Sequence, residues 1–252
     1  MHSTLIVMPT YNERDNLPRM SQQLLQLPAK VDLLVVDDNS PDGTGKLADE
    51  LAAKHPEIHV LHRAEKNGLG RAYLAGFQWA LERNYEFVFE MDGDFSHNPN
   101  DVPVLLDAAK DADLVLGSRY INGIRIINWP LGRLMLSKSA AAYVKIITGM
   151  PITDPTGGYK CFRRRALAAL DLGAVQSNGY SFQIELTHKL WRQGYRIAEV
   201  PIIFTERVQG HSKMAGNIVS EALWMVWRLW FQNGCRRHPR GVPAQDSRPA
   251  VP

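Results

Sequence analysis

Short apolar runs alternate with longer amphipathic segments along the first half of the chain. The apolar runs predict β-strands at residues 5–8, 33–36, 59–62, 87–91 and 114–116. The amphipathic segments between them predict helices over about 16–28, 43–54, 69–84 and 100–110. This alternation predicts an α/β fold with a mainly parallel central sheet flanked by helices. In such sheets, ligands bind beyond the carboxyl ends of the strands.

Polar clusters follow three of the predicted strands. Asp92 and Asp94 come directly after the fourth strand, and Gly93 between them is expected to let the backbone turn tightly. Mg²⁺ commonly binds one or two carboxylates together with substrate phosphates. An isolated Asp-x-Asp is usually a solvated turn, but its place at the end of a strand favours a metal site.

The other two clusters lie at residues 9–13 and 37–44. Asp37 and Asp38 either begin a solvated turn or hydrogen-bond the base or ribose of a nucleotide. No glycine-rich phosphate-binding pattern of the Rossmann or Walker A type follows the first strand, where the sequence is Pro-Thr-Tyr-Asn-Glu-Arg. A nucleotide diphosphate bound here would therefore need another partner, such as a carboxylate-bound metal.

Charge divides the chain into two unlike halves. Residues 1–113 contain 10 Lys+Arg against 19 Asp+Glu, whereas residues 114–252 contain 19 against 7. A metal-binding acidic half beside a half that meets phosphate or anionic lipid would explain this asymmetry. Nucleic acid would explain the basic half but not the acidic one, so no nucleic-acid partner is expected.

Composition narrows the class and the compartment. A hydrophobic content of 45% excludes collagen, coiled coil and wholesale disorder. No apolar stretch reaches the about 18 uncharged residues of a transmembrane helix, and no signal peptide is recognisable. The two cysteines, Cys161 and Cys235, favour a reducing, cytosolic compartment.

The end of the chain predicts an aromatic helix over residues 218–232 and a basic disordered tail over 233–252, after a main domain at 1–217. Trp224, Trp227 and Phe231 share one helical face, which suits either a core or subunit contact or a lipid interface. The histidines lack the paired spacing of a metal site and are expected to be structural or solvated. His211, inside a basic segment, is the exception.

Taken in order, the motifs resemble the inverting GT-A glycosyltransferases of family 2. They are Pro-Thr-Tyr-Asn-Glu at 9–13, Val-Asp-Asp-Asn-Ser-Pro-Asp-Gly-Thr at 36–44, Met-Asp-Gly-Asp at 91–94 and Gly-Ser-Arg-Tyr at 117–120. Segments 128–137, 154–159 and 206–214 narrow the resemblance to the dolichol-phosphate (polyprenol-phosphate) mannose synthases. The resemblance covers roughly residues 3–230. It departs mildly at 156–159, where Thr-Gly-Gly-Tyr stands in place of the usual Ser/Thr-Gly-Phe.

The resemblance implies transfer of mannose from GDP-mannose to a polyprenyl phosphate with inversion, assisted by Mg²⁺ or Mn²⁺. It implies an enzyme held peripherally at the cytoplasmic face of a membrane, and a membrane-anchored partner is left open. One alternative is a related transferase with another donor, such as UDP-glucose, or with a non-lipid acceptor. A non-catalytic protein that binds a nucleotide sugar or a membrane is the other.

Site residues follow from the resemblance, position by position. Those that match the guanosine site are Pro9, Tyr11, Glu13, Val36 and Asp38. Those that match the diphosphate and metal site are Asp92, Gly93, Asp94 and Ser96, with Asp94 the nearest metal ligand and Ser96 where some relatives have a metal-binding glutamine. Those that match basic positions around the phosphates are Arg119, Arg207 and Lys213, and Asp92, Asp94 and Arg119 are the expected catalytic residues.

Arg133 and Ser137 match an acceptor-phosphate pair. They are four residues apart in a segment of helical character, so both can contact one phosphate. A phosphate monoester, with a second pKa of about 6, is largely dianionic at neutral pH. The acceptor therefore needs no catalytic base, unlike a hydroxyl acceptor.

Overall fold

The computed structural model describes residues 3–175, 177, 179–206 and 216–232, with the backbone alone for 216–222. All five strands predicted for the first half are present: β1 (Thr4–Thr10), β2 (Asp32–Asp37), β3 (Ile58–His62), β4 (Phe87–Glu90) and β5 (Leu114–Ser118). The four predicted helices lie between them: α1 (Leu17–Leu25), α2 (Thr44–Ala52), α3 (Leu69–Leu81) and α4 (Val102–Ala108).

The described residues of the second half add four more strands and four α-helices. In chain order they are β6 (Ile126–Ile127), α5 (Leu131–Thr148), β7 (Lys160–Arg163), α6 (Arg164–Ala168), α7 (Gly179–Arg192), β8 (Ile197–Pro201), β9 (Phe204–Thr205) and α8 (Gly216–Gln232). The predicted aromatic helix thus falls within α8, and the tail predicted for 233–252 lies outside the described residues. The division of the chain into three parts stays a prediction.

One seven-stranded sheet forms the centre, in the order β3-β2-β1-β4-β7-β5-β8. All neighbouring strands in it are parallel except β7, which is antiparallel to both β4 and β5. The prediction of a mainly parallel α/β sheet is therefore confirmed. Strands β2 and β3 lie on one side of β1, and β4 lies on its other side. The order of the strands therefore reverses at β1, and its carboxyl end is a topological switch point.

Two apolar layers cover the two faces of this sheet. Leu5 and Val7 of β1 belong to the layer that includes residues of α3, α7 and α8, whereas Ile6 and Met8 belong to the layer that includes residues of α1 and α4. Successive side chains of a strand point to opposite faces, so each strand contributes to both layers. The rigid, buried sheet thereby fixes the loops at its carboxyl edge.

Helices α5 and α8 pack together at the surface, where the Tyr143 hydroxyl donates to the Leu223 carbonyl at 3.2 Å. Several of their large apolar side chains face outward: Leu131, Met135, Leu136, Ile146, Leu223, Trp224, Trp227 and Phe231. Among the described residues, no helix combines the length and apolar character needed to cross a membrane.

Candidate active site

The turn after β4 fixes Asp92 through two contacts. The backbone N–H of Asp92 donates to His97 Nδ1 at 3.1 Å, and the Tyr73 hydroxyl donates to Asp92 Oδ1 at 2.8 Å. Burial raises the pKa of Tyr73 well above its ordinary value, so its hydroxyl remains a donor. The sequence predicts that the histidines are either structural or solvated, and His97 is buried and therefore structural.

The same turn is shaped by Phe95 rather than by Gly93. Phe95 has a φ of +63°, in the left-handed region that bulky residues rarely adopt, whereas Gly93 is not among the positive-φ glycines. The expectation that Gly93 makes the turn is wrong; a Cβ there would lie 3.3 Å from Met8 Sδ, so the glycine serves close packing. Asp94 Oδ1 accepts the Ser96 backbone N–H at 3.0 Å, which closes the turn.

Asp92 and Asp94 offer carboxylate oxygens, the ligands that Mg²⁺ and Mn²⁺ accept. No cluster of three or more His, Cys, Asp or Glu residues that could hold a metal occurs in the part of the chain that the structure describes. The donor set therefore fits a cation that takes its remaining ligands from a bound diphosphate and water, rather than a closed structural site.

The polar clusters at residues 9–13 and 37–44, which follow β1 and β2, are hydrogen-bonded to each other. The surface that they form together is called the shelf below. Asp37 accepts from the Thr10 hydroxyl at 3.1 Å and from the Ser40 hydroxyl at 2.6 Å, which gives it a structural role. Asp38 forms a salt bridge with Arg63. Burial raises the pKa of Asp38 against the opposing effect of Arg63.

Other predicted nucleotide-site residues lie on this shelf. The Lys66 ammonium lies 3.7 Å from the centre of the half-exposed Tyr11 ring. The Glu13 carboxylate accepts from the Asn16 amide at 2.7 Å, and the Glu13 backbone N–H donates to Thr44 Oγ1 at 3.0 Å. Pro9 at the end of β1 pairs in register with Val36 of β2. The structure thus brings the predicted guanosine residues to one edge.

Arg119, after β5, is buried in an ion pair. Its Nε and Nη2 donate to the two carboxylate oxygens of Asp154 at 2.7 and 2.6 Å, and Nη2 also donates to Thr156 Oγ1 at 2.8 Å. Burial acts to lower the pKa of Arg119, but the Asp154 carboxylate outweighs it, so the pKa lies above its ordinary value. The pair holds a permanent cation in one orientation.

Arg133 and Ser137 lie on the first turns of α5, as the predicted helical spacing requires. Arg133 forms a salt bridge with Glu206, and its guanidinium lies 4.2 Å from the centre of the Trp129 ring. The Tyr120 hydroxyl donates to the Ser137 hydroxyl at 2.7 Å. The predicted phosphate ligands are therefore held by a carboxylate and a phenol in this structure.

One cavity of about 160 Å³ is lined by residues from the turn after β4, from the segment after β5 and from the start of α5, but not by the shelf residues Tyr11 and Asp38. Its wall includes Asp92, Ser96 and His97 from the turn after β4, Arg119 after β5, Trp129 and Arg133 at the start of α5, Gln183 of α7, and Glu206 after β9. Predicted donor-side and acceptor-side residues thus line the same space. Ser137 is not part of this wall, and Arg207, Lys213 and His211 lie outside the described residues.

Several residues of the site carry no sequence signal of their own. Tyr73 and Gln183 lie within amphipathic helices and are brought to the site only by the packing of α3 and α7 against the sheet. Asp154 and Glu206 lie in the segments that carry the resemblance, but their contacts with Arg119 and Arg133 could not be derived from spacing.

Below the turn, two buried ionisable residues lie on neighbouring strands of the sheet. Glu90 of β4 lies opposite Lys160 of β7 in register. Burial raises the pKa of Glu90 to about 7 and lowers the pKa of Lys160 to about 8. The Lys160 ammonium donates to the Gln183 carbonyl at 2.8 Å, which ties α7 to the sheet beneath the cavity.

Solved structures with the same fold include glucosyl-3-phosphoglycerate synthase from Mycobacterium tuberculosis in complex with Mn²⁺, UDP and glucosyl-3-phosphoglycerate. That chain aligns with a TM-score of 0.63 over 96% of this chain and 81% of its own, at 19% identity. A second structure of that enzyme, with Mn²⁺, UDP-glucose and glycerol 3-phosphate, aligns with a TM-score of 0.62 over 99% of this chain and 88% of its own, at 18% identity. At this identity the likeness concerns the fold alone.

Sequence relatives are closer. The chain is 50% identical over 224 residues to an undecaprenyl-phosphate mannosyltransferase of Micrococcus luteus, covering 89% of this chain and 92% of that protein. It is 50% identical over 241 residues to a polyprenol monophosphomannose synthase of Mycolicibacterium smegmatis, covering 95% and 91%. A dolichol-phosphate mannosyltransferase of Pyrococcus furiosus is 33% identical, covering 91% and 64%.

The family model described as Glycosyl transferase family 2 matches residues 5–171. This segment contains β1 to β5, β7 and the turn that carries Asp92 and Asp94. The resemblance inferred from the motifs is thereby confirmed: the chain belongs to glycosyl transferase family 2, and it is a glycosyltransferase with the GT-A fold.

Proposed function

We propose that this protein transfers mannose from GDP-mannose to a polyprenyl phosphate, with inversion at the anomeric carbon. The observation that carries the proposal is the single cavity lined both by Asp92, beside the nucleotide shelf, and by Arg133 of α5. The names of the relatives that are 50% identical over nine tenths of the chain support the same donor sugar and acceptor class.

On the donor side, Asp92 and Asp94 would hold Mg²⁺ or Mn²⁺ against the diphosphate of the nucleotide sugar. The cation would neutralise charge that develops on the leaving diphosphate. Tyr73 and His97 fix Asp92 before the ligand arrives, so little reorganisation is needed when the diphosphate binds. Asp38, Tyr11 and their cationic neighbours Arg63 and Lys66 would surround the base.

On the acceptor side, the attacking group is itself an anion. A dianionic phosphate needs no proton removed, and its approach to a diphosphate sugar is opposed mainly by charge repulsion. Arg119 and Arg133 place two guanidinium groups on the cavity wall, and in this structure Asp154 and Glu206 balance their charges. Cations placed where negative charge gathers stabilise the transition state. Arg133 would exchange its bond with Glu206 for one with the acceptor phosphate.

The polyprenyl chain requires the enzyme to meet a membrane. Leu131 and Met135, in the same turns of α5 as Arg133, are 70% and 61% exposed, and Trp224 and Phe231 of α8 are 70% and 60% exposed. Helix α5 contains Arg133, Lys138 and Lys145 but no acidic residue. An apolar surface with a basic border suits the interface of an anionic bilayer. We therefore propose peripheral binding through α5 and α8, on the cytoplasmic side as the sequence predicts.

The deciding experiment is sugar transfer to an organic-extractable lipid. Purified protein, undecaprenyl phosphate and Mg²⁺ are incubated with a panel of radiolabelled nucleotide sugars. GDP-mannose should label the lipid, and GDP-glucose, UDP-glucose and UDP-mannose should do so far less. Label from UDP-glucose alone would identify the related glucosyltransferase instead, and no label from any donor would indicate a non-catalytic binding protein.

A further inference from the structure

In an inverting displacement, the transferred sugar lies between the leaving group and the attacking group. The cavity wall includes Asp92, assigned above to the diphosphate side, and Arg133, assigned to the acceptor phosphate. The volume between them is therefore the place of the hexosyl group. At about 160 Å³, the cavity is smaller than the roughly 300–1,000 Å³ typical of sites for whole drug-sized ligands. This argument rests on the proposed function.

The wall contains a buried polar atom without a partner. Gln183 is only 4% exposed, and within the described chain its Oε1 accepts no hydrogen bond. The Gln183 backbone carbonyl is fully engaged, because it accepts from Lys160 Nζ at 2.8 Å and from Thr187 Oγ1 at 2.9 Å. Buried acceptors are nearly always satisfied in folded proteins. An unsatisfied Oε1 on a cavity wall therefore indicates a ligand that donates to it.

Trp129 provides a matching donor on the same wall. Its Nε1 is buried and donates to no partner among the described residues. The ring is fixed by Phe204, whose centroid lies 5.5 Å away in an edge-to-face arrangement, and by the Arg133 guanidinium at 4.2 Å. The indole N–H is thus held in place beside the residue that would bind the acceptor phosphate.

His97 adds an aromatic ring of fixed orientation to the wall. Because His97 Nδ1 accepts the Asp92 backbone N–H, the ring proton must reside on Nε2. Stacking on Tyr159, with ring centroids 4.8 Å apart, fixes the plane of the ring. The wall thus combines the amide acceptor of Gln183 with the indole N–H donor of Trp129, and hydroxyl groups of a sugar both donate and accept.

We propose that this cavity is the hexose subsite, and that Gln183 and Trp129 determine which sugar is accepted by hydrogen-bonding its hydroxyl groups. Sites that hydrogen-bond a substrate hydroxyl discriminate strongly against analogues that cannot satisfy them. The nucleotide shelf at β1 and β2 binds the base and ribose and is separate from these two residues.

The test compares binding of a nucleotide sugar with binding of the nucleotide alone. Calorimetric titrations with GDP-mannose and with GDP, in Mg²⁺ and without acceptor, are performed on the parent, Trp129→Phe and Gln183→Met. Each variant keeps the bulk of its side chain: Trp129→Phe loses the indole N–H, and Gln183→Met loses the amide, which also contacts Glu90. Gln23→Leu, an exposed residue of α1, is the matched control, and thermal unfolding verifies that each variant is folded.

Each variant should bind GDP-mannose about fivefold more weakly and bind GDP as the parent does. Equal weakening for both ligands, or no change for either, overturns the subsite. If Gln183→Met does not fold, Trp129→Phe decides alone. Binding of UDP-glucose but not GDP-mannose by the parent overturns the proposed donor instead, and the subsite is then judged by the same ratio for UDP-glucose and UDP.

Discussion

At the turn after β4, Asp92 is held through both its backbone and its carboxylate, and the Asp94 carboxylate accepts the Ser96 backbone N–H. This difference matters for choosing a substitution. A change at Asp92 would also release the Tyr73 hydroxyl, which is fully buried. A change at Asp94 to asparagine keeps an oxygen that can accept from Ser96 and removes the negative charge.

Asp94→Asn should lower the rate of transfer by about 100-fold or more, because a neutral amide is a poor ligand for a hard divalent cation. The unfolding temperature should stay near that of the parent. Rates are measured with saturating donor and lipid, and Asp107→Asn, an exposed residue of α4 paired with Lys110, is the control. Full parental turnover in chelator without added metal would contradict the role of Asp94.

Arg133→Ala should weaken the acceptor side alone. A charge-assisted contact with phosphate contributes enough that kcat/KM for the lipid should fall about 10- to 100-fold. The affinity for GDP, measured without acceptor, should change little, because the contacts of Arg133 are with Trp129 and Glu206 rather than with the nucleotide shelf. A loss of GDP affinity equal to the loss in kcat/KM would show that Arg133 serves the nucleotide site.

Glu206→Gln tests the partner of Arg133. The carboxylate competes with an acceptor phosphate for the same guanidinium, and the pair is partly exposed, with side chains 20% and 31% accessible. Removing the competitor should lower the KM for the lipid by up to about fivefold. Glu82→Gln, which removes another partly exposed arginine partner, is the control. A raised KM would mean that Glu206 orients Arg133 for binding.

The hydrophobic pattern of the sequence predicts those strands and helices whose side chains follow one regular pattern of burial. Parallel strands β1 and β2 are buried on both faces and therefore appear as continuous apolar runs. Strand β7 does not form such an apolar run, because it begins with Lys160 and ends with Arg163. Its lysine is buried only because the Gln183 carbonyl and Glu90 of the neighbouring strand surround it, and such tertiary partners leave no local signal.

Some residues of the candidate site can be predicted from the sequence pattern, and others cannot. The carboxylates after β4 and the shelf after β1 and β2 follow from strand ends that a parallel sheet places side by side. Gln183 and Glu206 come from α7 and from the segment after β9, far along the chain. Their place in the cavity depends on helix packing and on the short β6–β9 pairing, which the hydrophobic pattern does not encode.

Helix α7 also carries a buried base that makes stability depend on pH. Burial, with Arg192 adding to it, lowers the pKa of His188 from 6.5 to about 3. The unfolded chain therefore binds this proton first as the pH falls, so the contribution of neutral His188 is complete above about pH 6.5 and declines below it. At about pH 5 the loss should be about 2 kcal/mol.

The measurement is urea unfolding of the parent and of His188→Gln between about pH 7 and 5. The parent should lose more free energy of unfolding over this interval than the variant, whose side chain does not titrate. The variant is expected to be less stable at neutral pH, so only the slopes are compared. Parallel slopes would contradict burial of a neutral imidazole at this position.

Across the whole molecule, the acidic first half carries the carboxylate turn and the basic second half carries α5 and α8. The sequence left α8 undecided between a core contact and a lipid interface. The structure places Met225, Val226 and Leu229 in the core and leaves Trp224 and Phe231 outward. One helix therefore does both, and deleting it from Asn217 onward would uncover the core as well as remove the outward face.

A sharper test substitutes only the outward side chains. The parent should float with anionic liposomes at low salt and release from them as salt rises, because each lysine or arginine near the surface contributes roughly 1 kcal/mol that ions screen. Trp224→Ser with Phe231→Ser should weaken vesicle binding by at least about tenfold, since both rings lose burial in the interface.

The control is Val104→Ser, which changes an exposed apolar residue of α4 in the opposite layer and should bind vesicles as the parent does. Because none of these substitutions changes a residue of the proposed GDP site, GDP binding should be unchanged in every variant. A parent that ignores anionic vesicles at low salt would make recruitment by a membrane-anchored partner the better explanation.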